Sequence, residues 1–233
     1  MTDKLSILRS DQISLDTERT DRVAIFLRAV AGTAPVVGPM LAELLTVTIP
    51  DQKQDRVIAF LRVLGDKVKY IEEDVLRQKM RGEAFTNLLE NALHQASRSI
   101  SPERRKYLAS LLKNTLTESE VDEIGQKELL ELLDGLNDAE IIVLKYESLR
   151  TENERQEFAE KHKSILAERR VRFEGERMID ESKPADYTRE LLRERYLKTV
   201  IDEGLLQFNT MHSGIPYDPT PLGELLLRYI DDD

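Results

Sequence analysis

The chain has 233 residues, of which 40% are hydrophobic, 33% charged and 6% aromatic, and it carries a net charge of −10. That is enough apolar material to fill the core of one large domain or two small ones. It contains no cysteine, which excludes disulfide frameworks, thiol nucleophiles and thiolate metal sites, and its low content of aromatic residues and glycine favours helices over a β-sandwich or barrel.

The N-terminal Met1-Thr2-Asp3-Lys4 has no basic region leading into an apolar stretch, so it does not read as a secretory signal and a cytoplasmic location is expected. After a polar arm, Val23, Phe26, Leu27 and Val30 recur at helical spacing until Gly32-Thr33-Ala34-Pro35 ends the run. A second short helix is expected from Pro39 to Thr48, which makes a hydrophobic hairpin whose apolar side chains include Val36, Val37, Met40, Leu41 and Leu44. Its longest charge-free run, Ala29 to Ala42, is 14 residues. A spanning helix needs about 20, so the hairpin reads as core, with a membrane or partner role open to it only after a conformational change.

From Asp51 to Met80 the pattern predicts one long helix, with Val57, Leu61, Leu64, Val68, Ile71 and Val75 alternating at four- and three-residue steps. This is a heptad seam suited to a bundle, or to pairing between subunits as a homo-oligomer. Arg81-Gly82 breaks it, and Phe85, Leu88, Leu89, Ala92, Leu93 and Ala96 form the stripe of the next helix. Ser101-Pro102-Glu103 opens another as cap, first-turn proline and first-turn acid. Thr117-Glu118-Ser119-Glu120 and Asn137-Asp138-Ala139-Glu140 resemble capping boxes, so two further helices are expected there. A charged helix and a loop follow to Lys183, and then a helix from Pro184 carrying Tyr187, Leu191, Leu192, Val200 and Ile201.

That last helix stops at Gly204, where Leu205-Leu206 reads as a short strand, with a polar loop and a return through Thr220-Pro221-Leu222-Gly223-Glu224-Leu225-Leu226-Leu227. A helix, an apolar turn at glycine and a strand–loop–strand resemble the winged-helix superfamily over roughly the last 45 to 95 residues. The expected fold is therefore mainly α: a helical bundle over residues 1–116 and a winged helix, α with a small β wing, over 117–233. In DNA-binding members of that superfamily the helix before the wing enters the major groove, and the resemblance assigns that role here to Arg189, Arg193, Arg195 and Lys198.

Charge speaks against that role. Residues 1–116 carry a net +3 and residues 117–233 a net −13. DNA affinity needs locally uncompensated positive charge, yet Glu190 and Glu194 interleave with the four bases and the loop from Asn209 to Pro219 has no Lys or Arg. A protein partner is thus expected ahead of DNA.

No catalytic site is expected. His94, His162 and His212 lie far apart, none followed three or four residues on by a second His or a carboxylate as in a helical zinc site, so neither metal nor cofactor is implied. Arg155, Gln156 and His162 on one helix resemble the Arg-polar-…-His arrangement of HEPN-type ribonucleases, at the edge of that family's spacing. The reading reached is a non-enzymatic interaction or regulatory protein that uses an acidic winged helix for protein contacts. The alternatives are a DNA-binding transcriptional regulator, and a bacterial stress or anti-phage effector with a membrane-active N-terminal hairpin, since the basic bundle is loosely similar to the membrane-active helical domains of microbial cell-death effectors.

Overall fold

A computed structural model describes residues 51–80, 82–118, 121–166, 171–174, 177–180, 184–209 and 216–231. The hairpin of Val23, Phe26, Leu27, Val36, Val37, Met40, Leu41 and Leu44 lies outside these residues. The chain is mainly helical with small two-stranded antiparallel sheets. It divides into two compact units: residues 51–100 with 112–118, and residues 101–111 with 121–231.

In the first unit, α1 (Asp51–Val68) and α2 (Glu73–Met80) pack on α3 (Glu83–Arg98). The expected seam is real over α1, where Val57, Leu61, Leu64 and Val68 are all buried inside the unit. Those four positions are occupied by intrachain packing. The single helix expected from Asp51 to Met80 is two helices, because the chain turns at 69–72 and restarts at Glu73. The acidic run Glu72-Glu73-Asp74 explains the restart, since carboxylates are more stable at a helix N-terminus than in its interior. Past the turn the buried position is Leu76 rather than Val75, which is 40% exposed. Arg56, in the second turn of α1, donates to the carbonyls of Ser97 and Arg98 at the end of α3, so the two helices run antiparallel and unpaired C-terminal carbonyls gain a donor.

Helix α4 (Pro102–Thr117) contributes residues 102–111 to the second unit. Its end runs through Thr117, so the box expected there does not form; α5 (Glu123–Gly135) is capped instead by Asp122, which accepts from the Gly125 amide at 2.8 Å. The box at Asn137 does form and opens α6 (Asp138–Ser148), with Asn137 and Glu140 exchanging hydrogen bonds at 2.7 and 3.0 Å. Arg104 closes the α5–α6 turn by bonding Asp138 at 3.1 Å and the carbonyls of Leu133 and Leu136. A Thr151–Glu154 box opens the solvent-facing α7 (Glu152–Lys161), and the short α8 (Lys163–Leu166) follows. Where a loop was expected the chain then forms a hairpin, β1 (Val171–Glu174) against β2 (Arg177–Asp180).

Helix α9 (Pro184–Asp202) packs on α6 and α8. It ends as the sequence indicated: Gly204 sits at φ +72°, Leu205 N–H bonds Val200 O and Gly204 N–H bonds Ile201 O. With Val200 and Leu205 both fully buried this is a complete Schellman stop. Strand β3 (Leu206–Phe208) pairs with β4 (Tyr217–Pro219), so the return strand precedes Thr220. The stretch Thr220 to Leu227 is not a strand. Thr220 caps α10 (Pro221–Ile230), with Pro221 in the first turn, and an amphipathic stripe of Leu226, Leu227, Tyr229 and Ile230 is buried.

Candidate functional site

An open cleft of about 960 Å³ lies in the second unit, walled by α7–α8 on one side and by α9 on the other, with the C-terminal turn of α6 as its floor. The capping box at Thr151 starts α7 so that Arg155 falls one turn in and reaches back over the end of α6. There its guanidinium donates to the carbonyls of Tyr146 and Leu149 at 3.1 and 3.4 Å, at the end of α6, and lies 4.1 Å from the centre of the Tyr146 ring. Glu147, with its side chain 2% exposed, accepts from Arg155 at 3.1 Å and from Arg193 of α9 at 3.4 Å. One buried carboxylate therefore ties three helices. Burial works against the Arg155 charge, and Glu147 together with Tyr146 more than restores it, holding the guanidinium above its ordinary pKa.

The lining charges balance. Glu147, Glu152, Glu160 and Asp186 face Arg155, Lys163, Arg189 and Arg193, and Lys163–Glu160 and Arg189–Asp186 are paired at 2.7 and 2.9 Å. Such a cleft exerts little net pull on an anion or a cation. Its one aliphatic hydroxyl, Ser164, has no histidine among the lining residues to activate it. Among the described residues no cluster of His, Asp and Glu could hold a metal ion.

The four bases singled out on α9 separate. Arg189 and Arg193 come together in the cleft, each on a carboxylate; Lys198 is paired with Asp202; Arg195 is exposed, with no ion pair among the described residues. The other exposed side chains of this helix are partly apolar: Tyr187, Leu191 and Leu192 are 39%, 65% and 39% exposed. On the hairpin that follows, Phe208 is 71% exposed and meets Tyr217 edge-on at 5.5 Å.

Arg155 and His162 are not brought to one site. Arg155 lines the cleft, whereas His162 packs on Phe158 at 4.4 Å and has Lys161, Lys145 and Glu103 as its electrostatic neighbours. Partial burial, and then the two lysines, hold the His162 pKa below its ordinary value. No family model, curated protein or solved structure matches this chain. Sequence reasoning missed Glu147, although one signal was present: it follows Ile141, Val143 and Leu144 on the buried stripe of α6, where a carboxylate needs a partner.

Proposed function

We propose that this is a non-enzymatic, cytoplasmic interaction or regulatory protein whose C-terminal unit is a winged helix working through protein contacts. The order α9, Schellman stop, β3–β4 hairpin supports the winged-helix reading. The observation that carries the choice of partner is the state of α9. Three of its four candidate phosphate-binding side chains are engaged with Asp186, Glu147 and Asp202, while its outward side offers Tyr187, Leu191 and Leu192. DNA affinity comes from counterion release by uncompensated cations, whereas exposed aromatic and aliphatic side chains serve protein interfaces.

The test measures fluorescence anisotropy of a labelled DNA duplex at low salt beside capture of a protein partner under nuclease treatment. The reading expects no saturable duplex binding, and a nuclease-resistant partner lost on Phe208→Asp. Saturable binding that weakens steeply between about 50 and 200 mM salt and disappears with Arg193→Gln would establish a DNA-binding regulator instead.

A further inference from the structure

Helix α7 is the most weakly held wall of the cleft. None of its residues is buried, whereas α6, on which it packs, buries Ile141, Val143 and Leu144. An element with so little apolar burial opens at a small fraction of the global stability. What holds it is concentrated at its two ends. At the first, Arg155 binds the carbonyls of Tyr146 and Leu149 and the carboxylate of Glu147. At the second, the Phe158 ring carries the His162 ring at 4.4 Å, and Leu166 of α8 is buried just beyond.

His162 is also the joint between α7 and α8. Its N–H closes α7 on Phe158 O at 3.0 Å, and its carbonyl accepts from the Ile165 and Leu166 amides at 2.8 and 3.0 Å to start α8. Its imidazole makes no hydrogen bond or ion pair among the described residues. The charged groups acting on it are Lys161 of its own helix, Lys145 of α6 and Glu103 of α4. Lys145 is bound to Asp231, Glu103 to Lys106 at 3.2 Å, and the neighbouring Lys163 of α8 to Glu160. Two lysines thus face one glutamate that already has a partner. A half-buried neutral ring suits that setting and an imidazolium does not, because desolvation first and then the lysines oppose the charge.

The consequence has a definite sign. With α7 in place the His162 pKa lies below its ordinary 6.5, to which it returns when the ring is released into water. Release is therefore unaffected above that value and becomes easier as the pH falls below it. The other end of the helix does not respond, since an arginine keeps its charge throughout this range.

We propose that α7 is an acid-released flap on the cleft: protonation of His162 frees the far end of the helix from Phe158 inward, while Arg155 keeps the first turn pinned to α6 as the pivot. The flap needs no partner, so it stands apart from the protein-contact reading of this unit. A helix of 10 residues does not stay folded without its packing, so release is read directly in the exchange of its amides.

Hydrogen exchange of the full-length chain, followed by mass spectrometry at about pH 7.5 and about pH 5.5 with exchange times scaled for the intrinsic rate, tests the flap. Peptides covering residues 157–166 are expected to lose protection at least about threefold at the lower pH, with peptides inside α3 and α10 keeping theirs. His162→Phe leaves a ring on Phe158 that cannot take a charge, so protection of 157–166 should be equal at the two pH values. His162→Gln, smaller and also uncharged, should be equally insensitive to pH. Unchanged protection of 157–166 in the parent protein overturns the flap. So does an acid-induced loss that survives in both variants, or one shared equally by α3 and α10.

Discussion

Glu147 joins α6, α7 and α9 through two guanidiniums, and the energetics of such a group are asymmetric. A buried ion pair adds little against an apolar replacement of the whole set, but removing one partner leaves the other charge desolvated and unmet. Arg155 is only 11% exposed and Arg193 22%. Glu147→Ala is therefore expected to cost about 3–5 kcal/mol, read as a lower urea midpoint at unchanged slope, with Glu147→Gln costing less because an acceptor remains. His162 gives a pH signature of the same sign as a stabilising carboxylate, but at higher pH. Its folded-state pKa is depressed, so the neutral ring is favoured by folding, and its contribution is present above the ordinary value of 6.5 and lost as the pH falls below it. Melting temperature should fall on acidification through that range, and His162→Gln should flatten the dependence. Tyr107 works at the other end. Burial first, then Glu103, Asp138 and Asp231, push its phenol up to about 12. A raised pKa means stability present below pH 10 that is lost as the pH rises toward 12, and Tyr107→Phe should remove that loss.

At the scale of elements, the structure separates what local chemistry dictates from what it does not. The Asn137 box and the Gly204 stop were legible because a cap is a matter of four or five consecutive residues. The restart at Glu73 has no glycine or proline to mark it, only an acidic run, so a heptad pattern that crossed it looked continuous. At Thr220-Pro221 the signal was present and misassigned. A capping residue followed by proline opens a helix there as Ser101-Pro102 opens α4, and the leucines after it follow a helical stripe as well as a strand. The position of Glu147 on an apolar stripe called for a partner, but nothing in the sequence pointed to which one, since Glu147 and Arg193 are 46 residues apart and meet only after α9 folds back on α6. One element-level contact is unusually exacting. Thr220 donates its hydroxyl to Gly204 O at 2.6 Å and its amide to Leu205 O at 2.9 Å, which clamps the start of α10 onto the turn after α9. A β-carbon at Gly223 would lie inside the van der Waals envelope of the Leu205 carbonyl, and backbone cannot swing aside as a side chain can. Gly223→Ala should therefore destabilise by about 1–3 kcal/mol or more despite the better helix propensity of alanine, measurable by denaturant unfolding.

At the scale of the whole molecule, the charge count and the pairing pattern bear on the same question from two directions. The net −10 is a long-range property that sets how a polyanion is met at a distance, and the ion pairs of α9 are a short-range one that sets what it meets on contact. Either alone leaves an opening for DNA, because acidic proteins with one bare basic face still bind it. Together they speak against α9 as the DNA-contacting element: its one exposed base without an ion pair among the described residues is Arg195, and one phosphate contact releases about one counterion, too few for appreciable affinity at physiological salt. On immobilised heparin, a generic polyanion, the protein should accordingly pass unretained at about 50 mM salt, and Arg195→Glu should not change its elution. Retention that needs more than about 200 mM salt would show several uncompensated cations acting together, a surface that the pairs at Asp186, Glu147 and Asp202 do not leave on α9.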